Sequence, residues 1–253
     1  MVLQSVEDKL DSPLLSAQEL EARLRRVGEE RYHHQHPFHL MMHEGQLNRG
    51  QMQAWALNRY YYQSRIPIKD AIILSRSDDP DFRRAWRKRV VDHDGDSAQE
   101  GGIERWIRLA EATGLDRQQV TRCEEVLPAV RYAIDAYLDL VKNRTFLEAV
   151  ASSLTELFSR DLIALRMDRL RQHYPWLSSG LDYFTARLHQ APEDARFALQ
   201  YVTEHAGTRT EQESVIAALQ AKCDILWAQL DALHFAYVQP GWPPPGALRI
   251  RES

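Results

Sequence analysis

Apolar residues recur at helical spacing along almost the whole chain, and no stretch alternates apolar and polar residues as a half-buried strand does. Ser16 and Glu19 form a capping box that opens a helix through about Glu30, and Asn48 can cap the next helix. The pattern continues to a long final helix over Thr208–Tyr237. Long helices joined by short turns predict an all-α protein that folds as a single compact helical bundle.

Interruptions in this pattern predict where the other helices begin and end. We expect Pro67 to kink or restart the helix that Asn48 opens, because proline lacks the amide hydrogen that a helix interior needs. Thr145 is expected to start one helix through FLEAVASSLTELFSRDLIALRMDRLRQHY. Two shorter helices are expected over Ser179–Gln190 and Glu193–His205.

No internal repeat, low-complexity tract or linker divides the central part of the chain. We therefore interpret residues 1–15 as an N-terminal extension and residues 16–238 as one helical domain. Residues 239–253, QPGWPPPGALRIRES, form a proline-rich tail that cannot be regular helix and is expected to be extended or mobile.

The composition is that of a soluble globular protein, since 44% of the 253 residues are hydrophobic and 27% are charged. A net charge of −4 argues against general attraction to nucleic acid or to an anionic membrane. Two cysteines without a CxxC motif indicate a reducing compartment. The N-terminus lacks a signal-peptide pattern, and no apolar run could cross a bilayer, so we expect a cytoplasmic protein without nucleic-acid or membrane partners.

The segment Asn58–Asp70, NRYYYQSRIPIKD, places charge where a core helix should be apolar. Arg59, Tyr62 and Gln63 fall at i, i+3 and i+4, and Lys69 follows about three turns after Arg59, so these residues share one side of a helix. Buried cations are costly unless an anion meets them. This spacing predicts an interior site for a molecule that carries carboxylates.

Five of the ten histidines lie between His33 and His43, in YHHQHPFHLMMH. Imidazole is a common metal ligand, but the spacing matches no zinc template and Pro37 breaks the helix that would align such ligands. We interpret the segment as a turn in which some histidines cap backbone groups and others, such as His34 and His43, are solvated. The roles of the remaining three stay open: His33, His36 and His39.

His93 lies near a helix C-terminus, four residues after Arg89 and on the same face. An arginine neighbour holds an imidazole toward neutrality, as a catalytic base requires. The helix dipole also explains histidine and arginine at this position, and the local sequence favours that explanation. The basic residues of Arg83–Arg89 are spaced so that their side chains point to several faces of the helix. We therefore expect a solvated surface there, with only Arg89 turned inward.

Polar residues also interrupt the later helices at inward positions. The segment Ser152–Phe158, SSLTELF, places small and polar side chains in mid-helix, which implies close packing or a cavity. Comparable inward positions on other helices carry a tyrosine and three cations: Arg166, Tyr183, Arg187 and Lys222. Each residue alone is ordinary, but the collection predicts a cationic pocket.

Several long motifs resemble the pyrroloquinoline quinone synthase family. The resemblance spans roughly Glu19 to Tyr237, and its motifs read YHHQHPFH, NRYYYQSRIPIKDA, DHDGDSAQEGGIERWIRLAEATGL, VLPAVRYAIDAYL, SSLTELF, QHYPW and KCDILWAQLDA. The resemblance implies a fold similar to that of haem oxygenase and a homodimer. Its substrate would be a small anionic quinone, an amino-quinone precursor with two rings and several carboxylates.

The resemblance also implies roles for individual residues. Catalytic roles fall on four of them: His93, Tyr183, Arg187 and Lys222. Substrate binding falls on a larger group: Tyr32, His33, Arg59, Tyr62, Gln63, Lys69, Arg89, Tyr137, Thr155, Glu156 and Arg166. The implied reaction closes a ring and passes several electrons to molecular oxygen, yielding pyrroloquinoline quinone and hydrogen peroxide. No metal, flavin or other cofactor is implied.

Two rival interpretations stay open, and one of them follows from a departure from the family pattern. Ile163 stands seven residues after Glu156, where the family has a histidine that helps the oxygen site. A protein altered in this way could be a carrier that binds the quinone without turnover. A metal-dependent oxidase on the same scaffold is the other rival, with a partial dimetal ligand set drawn from Glu156, His93, Asp231 and His234, although Trp86 and Trp227 stand where the remaining ligands are expected.

Overall fold

A computed structural model describes residues 13–250, and the secondary structure within them is helical apart from one isolated bridge between Gly95 and Glu100. The α-helices are α1 (Ala17–Arg31), α2 (Pro37–His43), α3 (Arg49–Ser75), α4 (Pro80–Asp94), α5 (Gly102–Thr113), α6 (Arg117–Arg122), α7 (Pro128–Asn143), α8 (Phe146–Ala151), α9 (Ser159–His173), α10 (Asp182–His205) and α11 (Arg209–Tyr237). Short 3₁₀ helices cover His33–Gln35, Ser152–Phe158 and Pro175–Gly180. The predicted all-α class is confirmed.

Capping boxes fix the helix starts where the sequence places them. The Ser16 hydroxyl accepts from the amide of Glu19, whose carboxylate accepts from the amide of Ser16 at 2.8 Å. Asn48 forms the same reciprocal pair with Gln51 at the start of α3. Each of these boxes satisfies backbone donors that the first turn leaves free.

Helix α3 continues through Pro67 to Ser75, so the predicted restart is wrong. Proline removes only one backbone donor from the helix. Gln63 before it and Lys69 after it are both buried, so the two halves of α3 are held in the same core. Helix α3 contacts α4, α5, α7 and α11, which makes it the central element of the bundle.

The helix predicted from Thr145 onward is also wrong as a single element, because the 3₁₀ segment Ser152–Phe158 separates α8 from α9. The Ser152 hydroxyl donates to the carbonyl of Ala149 at 2.6 Å, and the Ser159 hydroxyl donates to the carbonyl of Glu156 at 2.9 Å. Such side-chain bonds compete with the α-helical pattern. The tighter turn brings residues three apart onto one face.

In the next part of the chain the sequence predicts two helices where the structure has one. The two predicted helices over 179–190 and 193–205 form one helix, α10, which runs through Pro192. Ala191, Asp194 and Ala195 are buried around the proline, so packing holds the helix together there. The residues before α10 form the short 3₁₀ helix Pro175–Gly180 instead of a helical start.

The histidine-rich segment is more ordered than a turn. Pro37 begins α2 instead of breaking a helix, and the His36 side chain accepts from the amide of Phe38 at 3.0 Å, as the capping interpretation predicts. His43 is only 8% exposed, so the predicted solvation of this residue is wrong, whereas His34 is half-buried. Tertiary packing of α2 against α9 and α11 accounts for the difference.

The tail after α11 contains no helix as far as residue 250, and the amide of Leu248 donates to the carbonyl of Glu125 at 3.1 Å. Most of the predicted N-terminal extension lies outside the described residues. No helix within 13–250 is long and apolar enough to cross a membrane.

Candidate active site

A polar cavity of about 90 Å³ lies at the centre of the bundle, enclosed mainly by α3, the 3₁₀ segment, α10 and α11. Its walls are formed by Tyr32, Arg59, Tyr62, Gln63, Ile66, Lys69, His93, Tyr137, Ser153, Thr155, Glu156, Tyr183, Arg187 and Leu226. Helix α3 supplies five of these side chains at helical spacing, from Arg59 to Lys69. The charged face that the sequence indicates therefore faces this cavity.

Lys69 is tied to the wall by a buried ion pair. Its ammonium lies 2.5 Å from the Asp70 carboxylate and 3.1 Å from the Ser153 hydroxyl. Trp86 donates its indole N–H to the same carboxylate oxygen of Asp70 at 2.9 Å. Burial alone would lower the pKa of Lys69, but the Asp70 carboxylate reverses this and raises it. Lys69 is therefore a compensated cation.

Glu156 is the acidic residue in the cavity wall, and two guanidinium groups hold its carboxylate. Arg89 lies 2.6 Å from one oxygen and Arg187 lies 3.0 Å from the other. Behind them Asp194 lies 3.5 Å from Arg187 and 3.8 Å from Arg89, and its backbone carbonyl accepts from Arg89 at 2.6 Å. Burial works to raise the pKa of Glu156, but Arg89 and Arg187 bring it below its usual value.

Burial acts differently on Asp194, which does not line the cavity. Burial, and then the neighbouring Glu156 carboxylate, raise the pKa of Asp194 to about 6. Two arginines and two carboxylates thus form one closed cluster, in which the positive charges of Arg89 and Arg187 are balanced by acids of the protein.

His93 lies on α4 and lines the cavity. Its Nδ1 is 2.9 Å from the carbonyl oxygen of Arg89. The carbonyl is only an acceptor, so Nδ1 carries the hydrogen and Nε2 is left as the free nitrogen. Burial, and then the Arg187 guanidinium, lower the pKa of His93 to about 4. This lowered pKa supports the interpretation of His93 as a neutral base over the helix-dipole explanation, but burial and Arg187 are its main causes, not the Arg89 side chain.

Aromatic side chains complete the cavity. The Tyr183 hydroxyl donates to the Gln63 side-chain oxygen at 3.1 Å. The Lys222 ammonium lies 3.4 Å from the centroid of the Tyr137 ring and 4.3 Å from that of Tyr62. Lys222 is 1% exposed, and its Nζ has no hydrogen-bond partner among residues 13–250. Burial, and then Arg59, hold its pKa well below the usual range.

A second, smaller cavity of about 10 Å³ adjoins the first, and Arg59 lines both. Arg166 faces this second cavity, together with His39. The Arg59 guanidinium lies 4.0 Å from the Tyr62 ring centroid. Over the described part of the chain, neither Arg59 nor Arg166 has a carboxylate within ion-pair distance.

Most of the residues that the sequence singled out line the main cavity, but four do not: His33, Arg89, Arg166 and Lys222. Arg89 is turned inward as predicted, yet it contacts Glu156 and Asp194 instead of open space. Arg166 does not face Glu156. Glu156 lies in the 3₁₀ segment, whose tighter turns rotate it away from the helix face that carries Arg166. His33 is buried, and both of its ring nitrogens lack partners within residues 13–250.

Three wall residues were not among the predicted site residues: Ile66, Ser153 and Leu226. Ser153 does lie in the segment Ser152–Phe158, for which the sequence implied close packing or a cavity. Ile66 lies three residues after Gln63 and three before Lys69, so helical spacing could have placed it on the same face. Ile163 is half-buried against the core and does not line the cavity.

The cations at the site therefore fall into two classes. Arg89, Arg187 and Lys69 have buried carboxylate partners. The other class, which has none among the described residues, consists of Arg59, Arg166 and Lys222. A buried charge without a partner is costly, so the second class marks where an anion from outside would be most favourable.

The candidate ligands of the metal-dependent rival lie in two places: Glu156 and His93 line the cavity, whereas Asp231 and His234 do not. Glu156 is held by arginines, whereas Asp231 bonds to His36 at 3.0 Å and lines an exposed apolar groove with Phe235 and Trp242. Within residues 13–250 no group of three or more His, Cys, Asp or Glu side chains is arranged to hold a metal ion.

Comparison with known proteins gives a consistent result at the levels of family, sequence and fold. The model of the TENA/THI-4/PQQC family matches residues 21–232. The pyrroloquinoline-quinone synthase of Acidiphilium cryptum is 57% identical over 92% of this chain and 96% of its own length. That of Granulibacter bethesdensis is 54% identical over 92% of each chain.

Solved structures with low sequence identity share the fold. A domain of unknown function with a heme oxygenase-like fold from Shewanella denitrificans has a TM-score of 0.74 at 15% identity, covering 94% of this chain and 100% of that one. A TenA homologue from P. horikoshii has a TM-score of 0.64 at 14% identity, covering 86% and 98%. The chain belongs to the TENA/THI-4/PQQC family and has the heme oxygenase-like fold.

Proposed function

We propose that this chain is a pyrroloquinoline-quinone synthase, the oxidase that completes the quinone from an anionic precursor with two rings. The observation that carries the proposal is the class of buried or half-buried cations that have no carboxylate partner among residues 13–250: Arg59, Arg166 and Lys222. A substrate with several carboxylates would supply the missing negative charge, and planar guanidinium groups can bind a carboxylate through two hydrogen bonds.

The proposed chemistry uses the free Nε2 of His93 as the base. The imidazole is neutral at neutral pH, so it can accept a proton that leaves the substrate. An anion bound nearby would favour the protonated imidazolium and so make His93 a stronger base than it is in the empty cavity. Lys222 is suited to relaying a proton or holding a substrate oxygen, because burial and Arg59 lower its pKa and so make its proton easier to release.

Tyr183 and Arg187 would orient the face of the substrate that reacts with oxygen. The Tyr183 hydroxyl and the Arg187 guanidinium are fixed by Gln63 and Glu156 respectively. Electrons removed from the substrate would pass to molecular oxygen and give hydrogen peroxide. We propose that no resident cofactor takes part, because a deprotonated quinol-type intermediate can reduce oxygen itself, and the protein then supplies orientation, bases and exclusion of water.

The cavity must widen to accept such a substrate. Its volume of about 90 Å³ is well below the ~300 Å³ at which sites for small organic molecules begin. Arg59 separates the cavity from the smaller one beside it. A rotation of the half-buried Arg59 side chain would join the two spaces and open Arg166 to the substrate. The second space adds only about 10 Å³, so the surrounding side chains must also move to admit the substrate.

The proposal extends to a cytoplasmic homodimer. Cys123 and Cys223 are both free and buried, which fits a reducing compartment. A mass measurement in solution tests the dimer: twice the mass of one chain supports it, and the mass of a single chain contradicts it.

Adding the amino-quinone precursor to the purified protein in air tests the proposed function. A synthase consumes oxygen and forms the quinone, whereas a carrier binds the precursor without turnover. Metal analysis of the same sample tests the other rival, since stoichiometric iron or manganese would favour a metal-dependent oxidase.

The role of Arg187 has its own test. Arg187→Gln should slow oxidation more than it weakens binding, because this guanidinium is proposed to act on the oxygen-reacting face. Arg196→Gln is the matched control, since Arg196 lies exposed on the same helix. Equal losses in turnover and binding would contradict the assigned role.

A further inference from the structure

Arg166 is held in an unusual way for a buried arginine. It is 7% exposed, and its contacts within residues 13–250 are with two histidines instead of a carboxylate. One terminal nitrogen, Nη2, lies 3.1 Å from Nδ1 and 3.4 Å from Nε2 of His39. Its Nε lies 3.5 Å from Nε2 of His43. Arg89 and Arg187, by contrast, contact Glu156 and Asp194.

Both histidines contact Arg166 as neutral imidazoles. His39 Nδ1 lies 3.0 Å from the carbonyl of His33, so it carries the hydrogen. Nη2 of Arg166 is at similar distances from both ring nitrogens of His39 and therefore contacts the ring face, whereas Nε of Arg166 donates to Nε2 of His43. Burial, and then Arg166, lower the pKa of His43 to about 4, and the same causes hold the pKa of His39 well below its usual range. Each imidazole can therefore orient the guanidinium without adding or removing charge.

Arg166 itself keeps its proton. Burial, and then the charge of Arg59, lower the pKa of Arg166 to about 10, which leaves it protonated at neutral pH. A carboxylate at the position of either histidine would cancel this charge, whereas a neutral acceptor leaves it available. The arrangement therefore combines a fixed guanidinium plane with a full positive charge.

We infer that His39 and His43 are positioning residues, which hold the Arg166 guanidinium for a substrate carboxylate while leaving its charge uncompensated. This inference rests on the proposed function, because the substrate anion is what completes the charge pair. It explains why two histidines of the histidine-rich segment are buried beside a cation, a costly arrangement for stability alone.

A matched pair of variants at His43 tests the inference. His43→Gln keeps a neutral oxygen acceptor, and His43→Glu has nearly the same shape but adds a charge. We expect the Glu variant to bind pyrroloquinoline quinone roughly 10- to 100-fold more weakly, because a charge-assisted hydrogen bond to the ligand is lost. The Gln variant should stay within about three-fold of wild type. Titration of each full-length protein with the quinone gives these values.

Thermal unfolding separates positioning from plain structural support. The Tm of the His43→Glu variant should equal or exceed that of wild type, because the buried cation gains a partner. Equal binding by the Glu and Gln variants would overturn the inference. It would also be overturned if both variants lost Tm and their losses of binding were in proportion to those losses of Tm. If His43→Glu does not fold, the same pair at His39 repeats the comparison.

A ligand-free measurement keeps the inference testable even if the wild-type protein binds no quinone, an outcome that would refute the proposed function. Arg166→Met should leave or raise the Tm in the wild-type background, since it removes an uncompensated cation. It should lower the Tm in the His43→Glu background, since it strands a buried carboxylate. The same sign in both backgrounds would show that Arg166 does not carry an uncompensated charge beside His43.

Discussion

Lys222 is the buried charge whose removal should separate stability from activity most sharply. Its ammonium is 1% exposed, contacts the rings of Tyr62 and Tyr137, and lacks a hydrogen-bond partner among residues 13–250. In the proposed function this group serves the substrate. Lys222→Met should therefore abolish turnover and yet make the protein more stable, the trade-off expected where a site is built at a cost to the fold.

Opposing contributions set the size of the effect. Burying a charged group without a partner costs several kcal/mol. Contact of a protonated ammonium with an aromatic ring returns up to about 2 kcal/mol per ring when it is desolvated. Methionine fills a similar volume and gains about 0.3–1.5 kcal/mol from sulfur–aromatic contacts. The balance is a gain of about 1–3 kcal/mol in the free energy of unfolding, or roughly 3–9 °C in Tm for a chain of this length.

The pH dependence gives this prediction a second signature. The unfolded chain holds the Lys222 proton up to about pH 10.5, whereas burial makes the folded protein release it at lower pH. Wild-type stability therefore rises with pH through this window, and the advantage of Lys222→Met shrinks. Urea unfolding at about pH 7 and about pH 9.5 measures both values.

The control for this experiment is Lys142→Met, which changes an exposed lysine and should alter stability by no more than about 0.5 kcal/mol. A loss of stability in Lys222→Met at neutral pH would refute the reasoning, because it would mean that the ammonium is satisfied in the folded protein. A gain that does not change with pH would refute it equally.

Three further predictions concern the groups around the cavity. The folded protein holds the pKa of His93 at about 4 against an unfolded value near 6.5, so unfolded chains take up the proton first and stability falls as pH drops through this window. Other buried histidines such as His43 contribute to the same loss, so urea unfolding should show that His93→Gln reduces it by up to about 3 kcal/mol, and an unchanged slope would contradict the prediction. Asp70→Asn strands the buried Lys69 ammonium and should cost about 3–5 kcal/mol in urea unfolding, whereas a cost below about 1 kcal/mol would mean that the pair does not stabilise the fold. In Gly28→Ala the new Cβ would lie 2.4 Å from the Phe158 ring, so the Tm should fall by the equivalent of about 1–3 kcal/mol and recover when Phe158→Leu is added; an unchanged Tm would show that the ring moves freely.

Much of the fold follows from local sequence signals. Ser16, Asn48 and Thr208 each begin a helix through a reciprocal hydrogen bond that needs only nearby residues. The internal prolines mislead for a physical reason. Pro67 and Pro192 each remove only one backbone donor, and each helix continues because the residues around its proline pack against other helices, which lie in distant parts of the sequence.

The candidate site is predictable in composition but not in pairing. Helical spacing placed Arg59 and Lys69 on an inward face. Asp70 is adjacent to Lys69 in the sequence, but only the packing shows that the two form a buried pair, while Arg59 has no carboxylate within ion-pair distance among residues 13–250. The 3₁₀ geometry of Ser152–Phe158 turns Glu156 toward Arg89 and Arg187, whereas an unbroken helix would have aligned it with Arg166. The charge balance of the site depends on these tertiary contacts, so only the structure divides its cations into two classes.

A crystal structure of the protein with bound pyrroloquinoline quinone tests the central proposition most directly. We expect ligand carboxylate oxygens within about 3 Å of the guanidinium groups of Arg59 and Arg166, with Glu156 still held by Arg89. A quinone bound instead in the exposed groove beside Phe235 and Trp242, with the cations of the interior left without an anion, would contradict the proposal.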